Sequence, residues 1–382
     1  MYALRTQIVQ VCSAKDSYKR MLSLEGLRAQ TWLDALQMLL DLEPLPVKPS
    51  EAGRTFLKAL LRLSSKTGLY PKCLQLSQHV HKDEDPVDEG SFGEVYQGRI
   101  ANRIVALKVF RVNQRTDMSK LMKTIWREAI IWCQLYHANV LPCYGIHQLP
   151  NQSNRIGLVS PWMESGNIGD YLQNRPSSGR LLLLSDIASG LWYLHENKVV
   201  HGDLKGPNIL VSTSGRACLA DFGLSRLSDS ALLGWTSIRT GTAKSTGTIR
   251  WQAPELLDPD DGTDPKTMTA SDIYSYGCVC YEIMTGNVPF HTIKNHYSIP
   301  TLVVAGKQPQ KPDSTDPAYQ EYGLTEPIWS LIEASWKQDP ESRPMASELQ
   351  RSDLFSSLAD HRPSQDWGKT SAAEFRHWAV PL

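Results

Sequence analysis

Asp203, Lys205 and Asn208 stand within one short stretch, HGDLKGPNIL, with apolar KVV before it and ILV closing it. A carboxylate there can accept or orient a hydroxyl proton, an ammonium can meet a phosphate, and a carboxamide oxygen can ligate Mg2+. These are the needs of phosphoryl transfer, a reaction that asks for positioning and charge compensation rather than covalent help. A polar turn between strands is the plain alternative, but it does not account for the order of the groups. Farther on, Asp221 sits among apolar residues in LADFGLS. Taken by itself it reads as a turn-capping aspartate.

Upstream, RIVALKVF alternates so that Ala106 and Lys108 share one face of a strand and Val105, Leu107 and Val109 the other. A lysine in so apolar a strand calls for a partner, unless it snorkels to water along its stem. The next helical pattern, Leu121, Ile125, Glu128, Trp132 and Leu135, places Glu128 inside an apolar stripe. Glu128 pairs with Lys108, or the helix is turned slightly and the carboxylate is at the surface. Before the strand, DEGSFGEVYQG holds Gly90 and Gly93, with Ser91 and Phe92 between them and Asp88 ahead. Small residues let backbone amides approach a phosphate, and an ordinary hairpin turn needs them equally. The segment runs into a strand with Val95 and Tyr96, where a dinucleotide fingerprint would open a helix.

The elements that must hold these groups follow two patterns. Residues 1–78 read as a helical extension: Trp32, Leu33, Leu36, Leu39 and Leu40 recur at helical spacing. Ser50 caps a second helix with Phe56, Leu57, Leu60 and Leu61 on its face, stopped by Gly68 and Pro71. Packing on the neighbouring domain and binding a separate protein partner both suit that apolar face. From residue 79 short strands come first, and helices dominate after about residue 165. The expectation is an α+β, two-lobed fold with a ligand cleft between a small antiparallel sheet lobe with one helix and a larger helical lobe. Residues 79–355 make that domain, and 356–382 are a polar tail in which AAEFRHWAV can dock as a short helix or strand.

The chain has 382 residues, 41% of them apolar, so it can bury a substantial core. Forty basic residues balance 40 acidic ones, which argues against general binding to nucleic acid. No apolar run is long enough for a membrane span. Seven cysteines without zinc-knuckle spacing, and no leader-like start, favour an intracellular and reducing compartment. The cytoplasm is expected, with the nucleus left open.

Together, in order, these motifs resemble a eukaryotic protein kinase over residues 79–355. The resemblance implies ATP and Mg2+. It gives Lys108 to the α- and β-phosphates, Glu128 to holding Lys108, and Asp203 and Lys205 to the transfer step. Asn208 and Asp221 are implied as metal ligands. It puts Gly90, Ser91, Phe92 and Gly93 over the phosphates, Val95 and Ala106 above the adenine and Leu210 below. Ser160 in GLVSPWMESG takes the gatekeeper position, and the backbone of Pro161 and Met163 faces the adenine edge. Glu255 and Arg343 match a family pair, and Asp272 the residue that holds the catalytic loop.

Lys205 and Thr248 resemble serine/threonine kinases, while RWQAPE and SDIYSYGCV look like the tyrosine-kinase-like group. Short stretches are also similar to kinases abundant in mushroom-forming fungi. The implied reaction is transfer of the γ-phosphoryl group to serine or threonine hydroxyls of protein substrates. The alternative is a pseudokinase scaffold that works through nucleotide binding and the helical extension. Two positions depart from the pattern. Asp88 replaces a glycine, and aspartate tolerates a left-handed backbone better than most residues. Gly202 replaces an arginine that, in many kinases, pairs with a phosphate on the activation segment. Hydroxyls at Ser225, Ser228, Thr236, Thr240, Thr242 and Thr246 leave room for phosphorylation to act through Arg226, Arg239 or Arg250 instead.

Overall fold

A computed structural model describes residues 2–42, 50–89, 93–110, 118–149, 155–176, 179–221, 226–227, 248–257, 269–363 and 372–378. The chain forms two compact units, one of residues 1–137, 141–162 and 367–382 and the other of 138–140 and 163–366. The helical extension and the C-terminal helix therefore belong to the same unit as the sheet.

The first unit begins with helices α1 (Tyr2–Ser13), α2 (Lys15–Leu22), α3 (Gly26–Asp41) and α4 (Glu51–Thr67). The apolar face seen in the sequence is the buried one, with Leu33, Leu36, Leu60 and Leu63 wholly inside. Ser50 Oγ caps α4 by accepting the Gly53 amide at 3.0 Å. Gly68 ends the helix at φ +72°, a left-handed position that only glycine takes without strain.

Among the described residues, the sheet of this unit has six strands, β1 (His81–Lys82), β2 (Asp88–Glu89), β3 (Gly93–Ile100), β4 (Arg103–Phe110), β5 (Gly145–Gln148) and β6 (Ile156–Pro161). They run antiparallel in the order β1, β3, β4, β6, β5, with β2 also on β3. Alternation splits β4 as expected: Val105, Leu107 and Val109 enter a core with Tyr96, Tyr144 and Val159. Helix α5 (Met118–Trp132) follows the hairpin. The C-terminal helix, Ala372–Trp378, docks on the apolar face of the sheet, where Phe375 stacks on Tyr144 with ring centroids 3.8 Å apart.

The second unit is mainly helical. It has α6 (Ile168–Asn174), α7 (Arg180–Glu196), α8 (Pro254–Leu257) and α9 (Thr269–Thr285). Shorter helices follow, Ile299–Val304, Pro317–Gln320, Glu326–Ser335, Ala346–Gln350 and Asp353–Ser356. Two small ribbons accompany them, β7 (Val199–Val200) with β10 (Arg226–Leu227) and β8 (Ile209–Val211) with β9 (Ala217–Leu219). Helix α9 is buried along most of its length, Tyr276 wholly so. Among the described residues no helix is long and apolar enough to cross a membrane.

Candidate active site

In the first unit the register of the sheet collects the expected residues on one face. Val95 lies opposite Lys108, Lys108 opposite Leu158, and Ala106 opposite Ser160. Directly opposed residues of an antiparallel pair point to the same side, so Val95, Ala106, Lys108 and Ser160 share a surface. Lys108 Nζ reaches Glu128 Oε1 at 3.5 Å, and the Glu128 side chain is only 4% exposed. Lys108 is therefore paired, and α5 presents Glu128 inward. Gly93 has a steric reason to be glycine: a Cβ there would collide with the Val109 carbonyl of the neighbouring strand. Gly90, Ser91 and Phe92 lie outside the described residues.

Asp88 departs from the expectation. It sits in β2 opposite Val95, and it is not among the residues of positive φ. A left-handed tolerance has no part in its presence, since an extended strand suits any residue. Pro161, buried, ends β6 opposite Val105. Met163, also buried, belongs to the second unit and uses its carbonyl to accept the Gly166 amide at 3.0 Å.

In the second unit the loop between β7 and β8 brings Asp203, Lys205 and Asn208 together. Lys205 Nζ donates to Asp203 Oδ2 at 2.8 Å and to Thr248 Oγ1 at 2.9 Å. Asn208 Nδ2 donates to Asp203 Oδ2 at 3.0 Å and to the Asp203 carbonyl at 2.7 Å. Asp203 Oδ1, buried, accepts no hydrogen bond among the described residues. One oxygen of the carboxylate is thus clamped and the other is an open acceptor. Both Asn208 amide hydrogens face Asp203, so its Oδ1 is the atom it can offer to a cation.

Asp221 follows β9 in a left-handed conformation, φ +61°. Its neighbour Ala220 donates its amide to the Asn208 carbonyl at 2.9 Å, and the Ala220 carbonyl faces His201 Nε2 at 3.0 Å. These bonds tie the Asp221 backbone to the loop that carries Asn208. Leu210, in β8, pairs with Cys218 and bridges to Asn167.

The loop is anchored from α9. Asp272, 1% exposed, accepts the His201 amide at 2.8 Å and the Gly202 amide at 2.9 Å. Its Oδ2 also lies 2.9 Å from His195 Nε2 on α7. Arg343 grips Glu255 with two hydrogen bonds, 2.7 and 2.8 Å, and burial of Glu255, which alone would raise its pKa, is outweighed by that guanidinium. The Glu255 carboxyl ends below its ordinary value.

Arg250 is not a waiting phosphate partner. Its guanidinium donates to the carbonyls of Pro289, Phe290 and Ile293 and meets His296 Nδ1, so both terminal nitrogens are already engaged. The hydroxyls expected at 225–246, the side chain of Arg226 and Arg239 lie outside the described residues.

Sequence reasoning passed over Glu282 on α9. Trp251 Nε1 donates to its Oε2 at 2.9 Å, and the Gly206 amide donates to the same carboxylate. Burial pushes this carboxyl up to about 7. A signal was present: Gly206 stands inside the loop, and a Cβ there would collide with the Glu282 carboxylate.

A family description of protein tyrosine and serine/threonine kinases matches residues 82–352. Serine/threonine-protein kinase TNNI3K of Homo sapiens is 31% identical over 275 residues, covering 69% of this chain and 30% of that protein. Serine/threonine-protein kinase STY46 of Arabidopsis thaliana is 31% identical over 268 residues, 69% of this chain and 42% of its own length. A probable serine/threonine-protein kinase of Dictyostelium discoideum is 29% identical over 285 residues, 73% of this chain and 52% of its own. The chain spans from about a third to about half of these relatives. With its ordered motifs and a sheet unit followed by a helical one, the chain belongs to the protein kinases, and the relatives it resembles are named serine/threonine-protein kinases.

Proposed function

We propose that this chain transfers the γ-phosphoryl group of ATP to serine or threonine hydroxyls of protein substrates. The observation that carries the reading is the Asp203 carboxylate, with Oδ2 clamped by Lys205 and Asn208 and buried Oδ1 left as an acceptor. That oxygen can take a hydrogen bond from an incoming hydroxyl and orient its lone pair for attack. Lys205, already bridging Asp203 and Thr248, supplies positive charge to the transferring group. Lys108, paired with Glu128, is assigned to the α- and β-phosphates.

Asn208 Oδ1 and the Asp221 carboxylate are the hard oxygen donors suited to Mg2+, which takes few protein ligands and neutralises phosphate charge when bound. Gly93, Val95, Ala106, Ser160, Pro161, Met163 and Leu210 are assigned to the nucleotide, with Gly90, Ser91 and Phe92. Serine/threonine preference rests on Lys205 and on Thr248, which accepts its hydrogen bond. The reading divides the chain into an extension (1–78), a kinase domain (79–355) and a tail (356–382), and the family match at 82–352 falls inside the middle part. A cytoplasmic location suits this chemistry, and the side-by-side Cys133 and Cys143 thiols, 3.2 Å apart, suit a reducing compartment.

A scaffold without transfer would need neither the open Asp203 oxygen nor the clamp on its mate. The test is phosphate transfer from radiolabelled ATP with Mg2+ to a serine/threonine peptide library, comparing wild type with Asp203→Asn. A loss of about 10² to 10⁴ in rate is expected. Equal incorporation by the two proteins would end the assignment.

A further inference from the structure

Helix α5 carries Glu128, and its hold on Lys108 is a long one at 3.5 Å. A helix of this length is marginal on its own and takes its position from what packs against it. Two sets of contacts from outside the family-matched span reach it. The first is an aromatic stack: Tyr70, just past α4, lies on Trp126 with ring centroids 3.9 Å apart and planes 23° from parallel. Trp126 precedes Glu128 by two residues, which places them about 200° apart around the helix. Tyr70 therefore bears on the back of α5, and pressure there drives Glu128 toward the sheet. Tyr70 is itself located by Gln30, which donates to its carbonyl at 3.0 Å, and by its own hydroxyl bonding to Gln75 at 3.0 Å.

The second is a chain of buried polar groups at the other end of α5. Gln134, two residues beyond the helix, donates to Gln37 Oε1 at 3.0 Å. Gln37, wholly buried on α3, donates to Asp41 Oδ1 at 2.8 Å. Asp41 receives Arg376 Nη2 at 2.6 Å, with both side chains largely buried. Arg376 follows Phe375, which is fixed against Tyr144. The relay Gln134, Gln37, Asp41, Arg376 links the end of the Glu128 helix to the extension and to the C-terminal helix. Each member is polar and enclosed, so displacing α5 would leave donors and acceptors unsatisfied, a costly outcome in the interior.

We infer that the extension and the C-terminal helix act as an intramolecular brace that holds Glu128 on Lys108, and that Tyr70 and Gln134 are positioning residues for the phosphoryl-transfer reaction. Neither touches the residues assigned to nucleotide or substrate; each acts through Glu128. The inference rests on the roles proposed above for Lys108 and Glu128.

The test uses the full chain and measures kcat and KM for ATP with the peptide library. The variants are Tyr70→Ala, Tyr70→Phe and Gln134→Leu, each in the wild-type and Glu128→Gln backgrounds. Tyr70→Ala and Gln134→Leu should each lower kcat/KM at least tenfold, while Tyr70→Phe, which keeps the stack, stays within twofold. In the Glu128→Gln background, where the ion pair is lost and only a weaker neutral hydrogen bond to Lys108 can remain, the same changes should have a much smaller effect. A merely structural loss would instead multiply with the Glu128 effect. Such multiplication, or wild-type turnover in both Tyr70→Ala and Gln134→Leu, overturns the brace. If Tyr70→Ala does not fold, Gln134→Leu carries the comparison. Amide exchange across Met118–Trp132 provides a readout independent of turnover: faster exchange in Tyr70→Ala is expected, and unchanged exchange overturns the brace even if Asp203→Asn shows that the kinase reading itself has failed.

Discussion

Gly202 donates its amide to Asp272 Oδ1 at 2.9 Å while its backbone stands at φ +81°. Absence of the arginine common at this position in the family is thus accompanied by a local gain, because left-handed backbone costs an ordinary residue roughly 1–2 kcal/mol and costs glycine little. Gly202→Ala and Gly202→Arg are each expected to lower stability by about 1 kcal/mol in urea denaturation. Unchanged midpoints in both would show that the strain is not there.

Lys205 is held between Asp203 Oδ2 and Thr248 Oγ1, at 2.8 and 2.9 Å. A hydrogen bond to a charged group contributes about 1.5–3 kcal/mol, and each 1.4 kcal/mol in a barrier is about tenfold in rate. Thr248→Ala should therefore lower kcat by roughly one to two orders of magnitude, and Thr248→Ser, which keeps the hydroxyl, should restore most of it. Steady-state kinetics on the two variants decides this, and equal rates for Ala and Ser would remove Thr248 from the positioning of Lys205.

Arg343 has a fully buried side chain and grips Glu255 with two hydrogen bonds. Removing Arg343 leaves the Glu255 carboxylate, itself 19% exposed, without its counter-charge, so Arg343→Ala should cost about 3 kcal/mol, at the lower end of what a buried pair loses, measured by chemical denaturation. Arg343→Lys should recover little of it, because an ammonium cannot reproduce the planar fork. The sign with pH follows from the lowered Glu255 value. The stabilisation is complete above the ordinary carboxylate value of 4.5 and is lost as pH falls through the lower folded value. Wild type should therefore lose more stability than Arg343→Ala on acidification below that range.

The parts of the site that could be read from the sequence are those whose meaning is local. Asp203, Lys205 and Asn208 are neighbours in the chain, and the alternation of β4 alone places Ala106 beside Lys108. Ser50 and Gly68 mark the ends of α4 by capping chemistry that needs no partner. Groups whose roles come from distant chain were not legible. Arg362 reaches Asp186 across 176 residues, and Arg376 reaches Asp41 across 335, so neither pairing leaves a periodic or spaced trace. Asp88 misled for the opposite reason: a loop motif suggested a left-handed turn where strand pairing imposed extended backbone. Arg250 was judged by its charge, although three carbonyls had already claimed it.

Glu282 supplies the sharpest pH prediction. Its carboxyl is raised from 4.5 to about 7, chiefly by burial, against the opposing pull of Trp251 and Gly206. Between those two values the folded protein keeps a proton that the unfolded chain has released. The resulting contribution is fully present below 4.5, falls as pH rises, and is gone above about 7. At about 1.4 kcal/mol per pKa unit it amounts to roughly 3 kcal/mol at most. Glu282→Gln has no proton to exchange, and although its amide serves only one of the two donors well, that defect is the same at every pH. Urea midpoints at pH 5 and pH 8 should therefore differ more in wild type than in Glu282→Gln, with wild type losing stability at the higher pH. The same pH dependence in both proteins would mean that Glu282 is an ordinary ionised carboxylate and that its two donors outweigh its burial.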